Sequence, residues 1–113
     1  MNGPRTGGRA PAISGSTPAA EPIDRELAGA DADLLFLTSD CRECRSRWAR
    51  VREGEVIVTP DPSTESARSV RKLAPAGATV IMSSRCWHDY GITKAPWVVE
   101  VRDGVVSSSR PAV

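Results

Sequence analysis

The chain has 113 residues, of which 15 are basic and 14 acidic, for a net charge of +1; that leaves room for one small domain and gives no global field to draw nucleic acid or an anionic membrane. Three cysteines, an odd number, argue against a closed disulfide framework, and the few aromatics (Phe36, Trp48, Trp87, Tyr90, Trp97) offer no stacking platform for single-stranded nucleic acid. No apolar run approaches the ~18 to 20 residues that span a bilayer, and the N-terminus lacks the apolar stretch of a secretory signal, so the default compartment is the cytoplasm, with an extracytoplasmic or membrane-tethered location as the alternative if the chain is a fragment.

Residues 1–22 hold four of the nine glycines and four of the nine prolines and almost no large apolar side chain. This composition predicts a flexible arm, with a bound extended segment around Ala10–Ile13 as the alternative. Residues 23–109 form the predicted domain, and 110–113 a tail. Within the domain, Leu34–Leu37 is a short continuous apolar run, which suits a strand buried on both faces. Asp40 is a good N-cap for a helix from Cys41 to about Glu53, ended by Gly54. Glu55–Thr59 reads as a strand, and Ser63 caps a second helix with Ala67, Val70 and Leu73 or Ala74 on one face. Ala78–Met82 is a third strand, followed by a short polar helix or turn over 83–90. Pro96–Val101, the turn signal Asp103-Gly104 and Val105-Val106 make a closing hairpin. Strands alternating with helices imply an α/β fold with a mostly parallel sheet, flanking helices and antiparallel strands at one edge.

Cys41 and Cys44 stand three apart at the start of the first predicted helix. Thiol chemistry runs through the thiolate, and a helix start with Arg42, Arg45 and Arg47 nearby supplies positive potential for one, opposed by Asp40 and Glu43. Cys44, one turn on, projects from nearly the same face. The expected geometry exposes the first sulfur and buries the second, so that Cys41 attacks a disulfide and Cys44 resolves the mixed disulfide. The dithiol is then its own redox centre, and no metal or organic cofactor is required.

Two segments, Leu34–Cys44 and Tyr90–Val106, resemble the thioredoxin-like superfamily: the first is similar to its strand, CxxC and helix, the second to its "YGI…P" loop and terminal hairpin. Among relatives the sequence is nearest to the extracytoplasmic TlpA-like thiol reductases. The resemblance implies a thioredoxin-like fold, a thiol–disulfide oxidoreductase that reduces or exchanges protein disulfides, and an unidentified reductase or thiol pool as electron partner. It also implies a cis Ala95–Pro96 bond facing the CxxC, with Asp40, Ala95, Pro96 and Trp97 lining the substrate groove. Several positions depart from the family pattern. Asp40 replaces a tryptophan and raises the Cys41 pKa relative to a neutral neighbour. The buried acid beneath the second cysteine falls on Leu35, and Trp97 narrows the groove. The family's C-terminal helix is not matched, which implies a sheet face covered by a homodimer or other partner, or a chain cut short.

Two other readings stay open. Cys41, Cys44, Cys86 and His88 have the ligand count of a Cys3His zinc site, although C-x-H is an unusual spacing. A thioredoxin-like domain with vestigial cysteines is a redox-inactive docking scaffold. For single residues the bland readings are a small buried apolar Cys86, a solvated surface His88, and an ordinary exposed arginine face with Glu43 paired to Arg47.

Overall fold

Leu34–Leu37 shows no polar alternation because both of its sides are covered. In the computed structural model, which describes residues 2–112, the run forms the end of β3 (Ala32–Phe36) and the residue after it, and all four side chains are 0 % exposed. Leu34 and Phe36 enter one core cluster, and Leu35 and Leu37 the other, which is the period of two expected for a strand between two packed layers.

β3 pairs in parallel with β4 (Glu55–Thr59), and β4 in parallel with β5 (Thr79–Met82). On its other side β3 pairs antiparallel with β6 (Trp97–Arg102), which forms a hairpin with β7 (Val105–Pro111). An N-terminal hairpin of β1 (Ile13–Ser16) and β2 (Pro22–Arg25) attaches antiparallel to β5 through the pairing of Ser16 with Met82. The sheet order is β2-β1-β5-β4-β3-β6-β7. The sheet is therefore mixed, with its parallel part confined to the three central strands, because each end is closed by a hairpin.

The N-terminal residues correct the expected flexible arm. Ala10 and Ile13 are buried in the core cluster with Leu34 and Phe36, Ile13 being 1 % exposed. The Tyr90 hydroxyl donates to the Pro11 carbonyl oxygen at 2.6 Å. Backbone bonds tie the segment to the terminal hairpin: Gly7 N–H to Val106 O at 2.8 Å, Val106 N–H to Gly8 O at 2.9 Å and Ala10 N–H to Gly104 O at 2.9 Å. Two small apolar anchors and a row of satisfied backbone groups offset the ordering entropy that the composition suggested would win. Gly15 serves this docking too, since a Cβ there would lie 2.3 Å from the Met82 carbonyl oxygen. The expected tail is likewise part of the sheet: β7 runs through Pro111, and the Ala112 N–H donates to the Pro96 carbonyl oxygen at 3.1 Å. Val113, the last residue of that expected tail, and Met1 of the expected arm lie outside the described residues.

The helices are shorter than predicted. α1 is Cys44–Trp48, with Glu43 at its N-cap and no side-chain cap bond; Asp40 is exposed and does not cap it. The chain leaves the helix after Trp48 because Arg47 turns back, pairing with Glu55 on β4 and donating to the Arg50 carbonyl oxygen at 2.7 Å. That pair replaces the expected Glu43–Arg47 contact. α2 (Ala67–Leu73) is capped by Ser66 in place of Ser63, which instead bonds to Asp61. α3 (Ser84–Asp89) is capped by Ser83, whose hydroxyl accepts from the Cys86 N–H.

One sheet face is covered by α3 and the N-terminal segment, the other by α1 and α2. The expected bare face is not found: Val98, Val99, Val101 and Val106 are buried, and among the described residues the exposed large apolar side chain is Val105, 38 % exposed. On the face of α1, Val98 and Ala112 border a polar cleft of about 340 Å³ with Arg47, Arg50 and Arg110.

Candidate functional site

β3 delivers the chain to the turn that carries Cys41 and Cys44. The two are joined as a disulfide, with Cα atoms 5.1 Å apart. Cys44 is fully buried against Leu35, Leu37 and Trp48 on one sheet face, whereas Cys41 is partly exposed at the edge of that cluster. Because α1 begins only at Cys44, its opening N–H has no partner inside the helix. It is shared between the Cys41 carbonyl oxygen at 3.2 Å and Cys41 Sγ at 3.1 Å, and the second arm favours charge on that sulfur.

The Gly91–Pro96 loop forms the opposite wall. The Ala95–Pro96 peptide is cis, and the Ala95 carbonyl oxygen lies 3.6 Å from Cys41 Sγ. Asp40, Cys41, Ala95 and Pro96 are therefore brought together. Trp97 is not: strand alternation sends Val98 to the cysteine face and Trp97 to the other, where its Nε1–H donates to Ser109 Oγ at 2.9 Å. Its assignment to the groove is corrected on that ground. Arg42 and Arg45 are exposed, and neither forms a hydrogen bond to either sulfur, so any charge effect on Cys41 would pass through solvent and be screened by salt.

Sequence reasoning missed the residue that anchors the turn. Glu65, only 9 % exposed, accepts from the Ser39 N–H at 2.9 Å, from the Ser39 hydroxyl and from the Ser66 N–H at 2.8 Å. Trp48 adds a second tie, its Nε1–H donating to the Thr38 carbonyl oxygen at 3.1 Å. No local signal marks Glu65, which stands 26 residues from Ser39 in the chain.

Cys86 lies on α3 in the other core cluster, across the sheet from Cys44. The zinc reading of Cys41, Cys44, Cys86 and His88 is thereby corrected, since ligands of one ion cannot sit in core clusters on opposite faces of the sheet. His88 is exposed. Burial, and after it the charge of Asp89, pushes the Cys86 thiol up to about 12, so it is protonated and inert near neutrality.

No family model and no curated protein matches the sequence. Solved structures do match the fold. The thioredoxin domain of a thiol-disulfide oxidoreductase from Bacteroides vulgatus is similar over 93 % of this chain and 87 % of its own, at 16 % identity and a TM-score of 0.72. A thiol:disulfide interchange protein of the thioredoxin family from Chlorobium tepidum matches 93 % of this chain and 86 % of its own, at 24 % identity and a TM-score of 0.66. A secreted disulfide oxidoreductase from Mycobacterium tuberculosis matches 89 % and 85 %, at 19 % identity and a TM-score of 0.68.

Proposed function

Starting from a chain that has the thioredoxin-like fold, we propose that it is a thiol–disulfide oxidoreductase that reduces or exchanges protein disulfides, with Cys41 as nucleophile and Cys44 as resolving thiol. The observation that carries this is the asymmetry of the pair: a partly exposed Cys41 that accepts an N–H bond, joined to a fully buried Cys44 and faced by Ala95–Pro96.

In the reduced protein, the Cys41 thiolate attacks one sulfur of a substrate disulfide. A Cys41–substrate bond forms, and the other substrate sulfur leaves as a thiolate that takes up a proton. Cys44 then loses its proton and attacks Cys41 Sγ, which closes the Cys41–Cys44 disulfide and releases the second substrate thiol. Two electrons pass from the dithiol to the substrate. A reductase or thiol pool returns them. With Leu35 beneath the pair, no buried carboxylate assists at that position, and the Cys44 proton passes to the departing thiolate or to water. The dithiol serves as its own redox centre, without a metal or organic cofactor. Asp40, Ala95 and Pro96 line the place where a substrate strand lies against Cys41, while Arg42 and Arg45 add positive potential.

A disulfide-exchanging role suits an oxidising compartment. One of the solved proteins of similar fold is secreted, which favours the extracytoplasmic or membrane-tethered alternative over the cytoplasm. No described helix is long and apolar enough to cross a membrane.

The test is turnover of an insulin-like protein disulfide in the presence of a chemical thiol. Wild type is expected to turn over and Cys41→Ser to be inactive. A wild-type protein that is inert, with Cys41 alkylating near the ordinary thiol pKa of about 8.5, would sink the proposal and leave the scaffold reading in its place.

A further inference from the structure

Asn2 and Gly3 lie over the loop that carries Pro96, and the dithiol chemistry makes no use of them. Asn2 Oδ1 accepts from the Thr93 N–H, from the Thr93 hydroxyl at 3.0 Å and from the Lys94 N–H at 3.3 Å. Asn2 Nδ2 donates to the Lys94 carbonyl oxygen at 3.4 Å. Beside it, the Gly3 N–H donates to the Gly91 carbonyl oxygen at 3.0 Å. Gly3 has φ +85, and a Cβ there would stand 2.7 Å from Trp97 Nε1 and 2.2 Å from Ser109 Oγ. Only glycine lets the chain pass this close. One amide side chain thus satisfies two successive backbone N–H groups of the loop, and the next residue is Ala95, whose carbonyl oxygen is 3.6 Å from Cys41 Sγ.

We propose that Asn2 is a positioning residue for the Cys41 thiol: by clamping Thr93 and Lys94 it holds the Ala95 carbonyl oxygen at the sulfur. The inference rests on the dithiol reading above. In the reduced protein the Cys41 S–H donates to that oxygen, which favours the protonated thiol, while the Cys44 N–H favours the thiolate. Releasing the clamp withdraws the first of these bonds and leaves the second. The Cys41 pKa then falls, and the wall that orients a substrate strand loosens. The charged groups on the two facing loops and the brace beneath them are Asp40, Arg42, Glu43, Arg45, Glu65 and Lys94, and Asn2→Ala changes none of them.

The experiment measures alkylation of Cys41 against pH in the reduced full chain, with mass mapping, for wild type, Asn2→Ala, Asn2→Asp and Gly3→Ala. It is run in 1 M salt, where the Debye length is about 3 Å and the added carboxylate of Asn2→Asp is screened. Asn2→Ala is expected to lower the midpoint by about half a pH unit and to reduce kcat/KM on a protein disulfide about threefold. Asn2→Asp keeps the acceptor oxygen and restores both values. Gly3→Ala, which lifts the segment without touching Asn2, shifts the midpoint in the same direction as Asn2→Ala. A midpoint that stays at the wild-type value in Asn2→Ala, or that falls equally in Asn2→Asp, overturns the inference, even where thermal unfolding shows lost stability. An inert wild type overturns the dithiol reading itself, and that result is visible before any Asn2 variant is made.

Discussion

The two loops that meet at the sulfurs are held by opposite means. The Thr38–Cys44 turn is tied from beneath, by the buried Glu65 to Ser39 and by Trp48 to Thr38. The Gly91–Pro96 loop is fixed at its ends, by the Ile92 N–H to the Trp87 carbonyl oxygen and the Ala112 N–H to the Pro96 carbonyl oxygen, but its middle is tied from outside, by Asn2 to Thr93 and Lys94 in exposed bonds. Breaking the Glu65 tie removes a buried charged acceptor from half-buried donors and costs part of their desolvation; breaking an exposed tie exchanges a protein partner for water at little net cost. The difference teaches that the turn bearing Cys41 is built to be stiff and the opposing wall to be adjustable, which on the proposed dithiol function would suit a site that presents one sulfur to substrates of varied shape.

The severest test of that division removes the sulfurs. Cys41→Ser is expected to abolish protein-disulfide turnover, by about a thousandfold or more. Cys44→Ser is expected to stall at the mixed disulfide, read by mass spectrometry as a covalent adduct on Cys41. An adduct mapped to Cys86 instead would break the assignment. Next comes the stiff loop. Glu65→Ala leaves the half-buried Ser39 N–H and the exposed Ser66 N–H without their acceptor and is expected to cost ~1–2 kcal/mol in urea unfolding. Asn2→Ala is expected to lose far less stability. Equal losses would erase the contrast between the loops.

How much of this was legible in the sequence follows the same line. Leu34–Leu37, the CxxC and the Asp103-Gly104 turn are local patterns, and each stands where the pattern put it. Pairings across long stretches of chain were not readable: Glu65 meets Ser39 from 26 residues away, and Asn2 meets Thr93 from 91. Residues 1–22 were misread because composition counts large apolar side chains, whereas docking here relies on Ile13, Ala10 and backbone bonds that any residue supplies. Trp97 was misplaced although a signal existed. Period-two alternation from Val98 puts it on the face away from Cys41 and Cys44. The helix start at Cys41 was three residues early, because Asp40 has the composition of a cap but points to solvent.

A sharper form of the comparison sets Cys86 on one sheet face against Cys41 on the other. The Cys86 thiol is raised from 9.0 to about 12 by burial and then by Asp89, so the unfolded chain releases its proton first. The stability that depends on the protonated thiol is intact below about pH 9 and is lost between pH 9 and about 12, at ~1.4 kcal/mol per pH unit. Tyr90, raised for the same first reason from 10.0, joins only above pH 10. Urea unfolding of the oxidised protein at pH 8, 9 and 10 is expected to show this slope in wild type and a flatter one in Cys86→Ala. Identical slopes would place the Cys86 thiol in water rather than in the core.

The smallest effect tests how firmly the N-terminal segment is seated, and with it the support of the adjustable wall. Tyr90 Oη–H to the Pro11 carbonyl oxygen, at 2.6 Å, is the side-chain bond that joins α3's C-cap to this segment. Tyr90→Phe keeps the ring against Phe36 and removes only the hydroxyl, so it is expected to cost ~1 kcal/mol. That loss falls on the docking of residues 2–12 rather than on the sheet. Amide exchange should therefore quicken at Gly3, Gly7 and Ala10, whose N–H groups bond to Gly91, Val106 and Gly104, while the N–H groups of β3 and β4 keep their protection. Exchange that quickens equally everywhere would mean that the segment is inseparable from the core, and that the wall it supports is as stiff as the turn it faces.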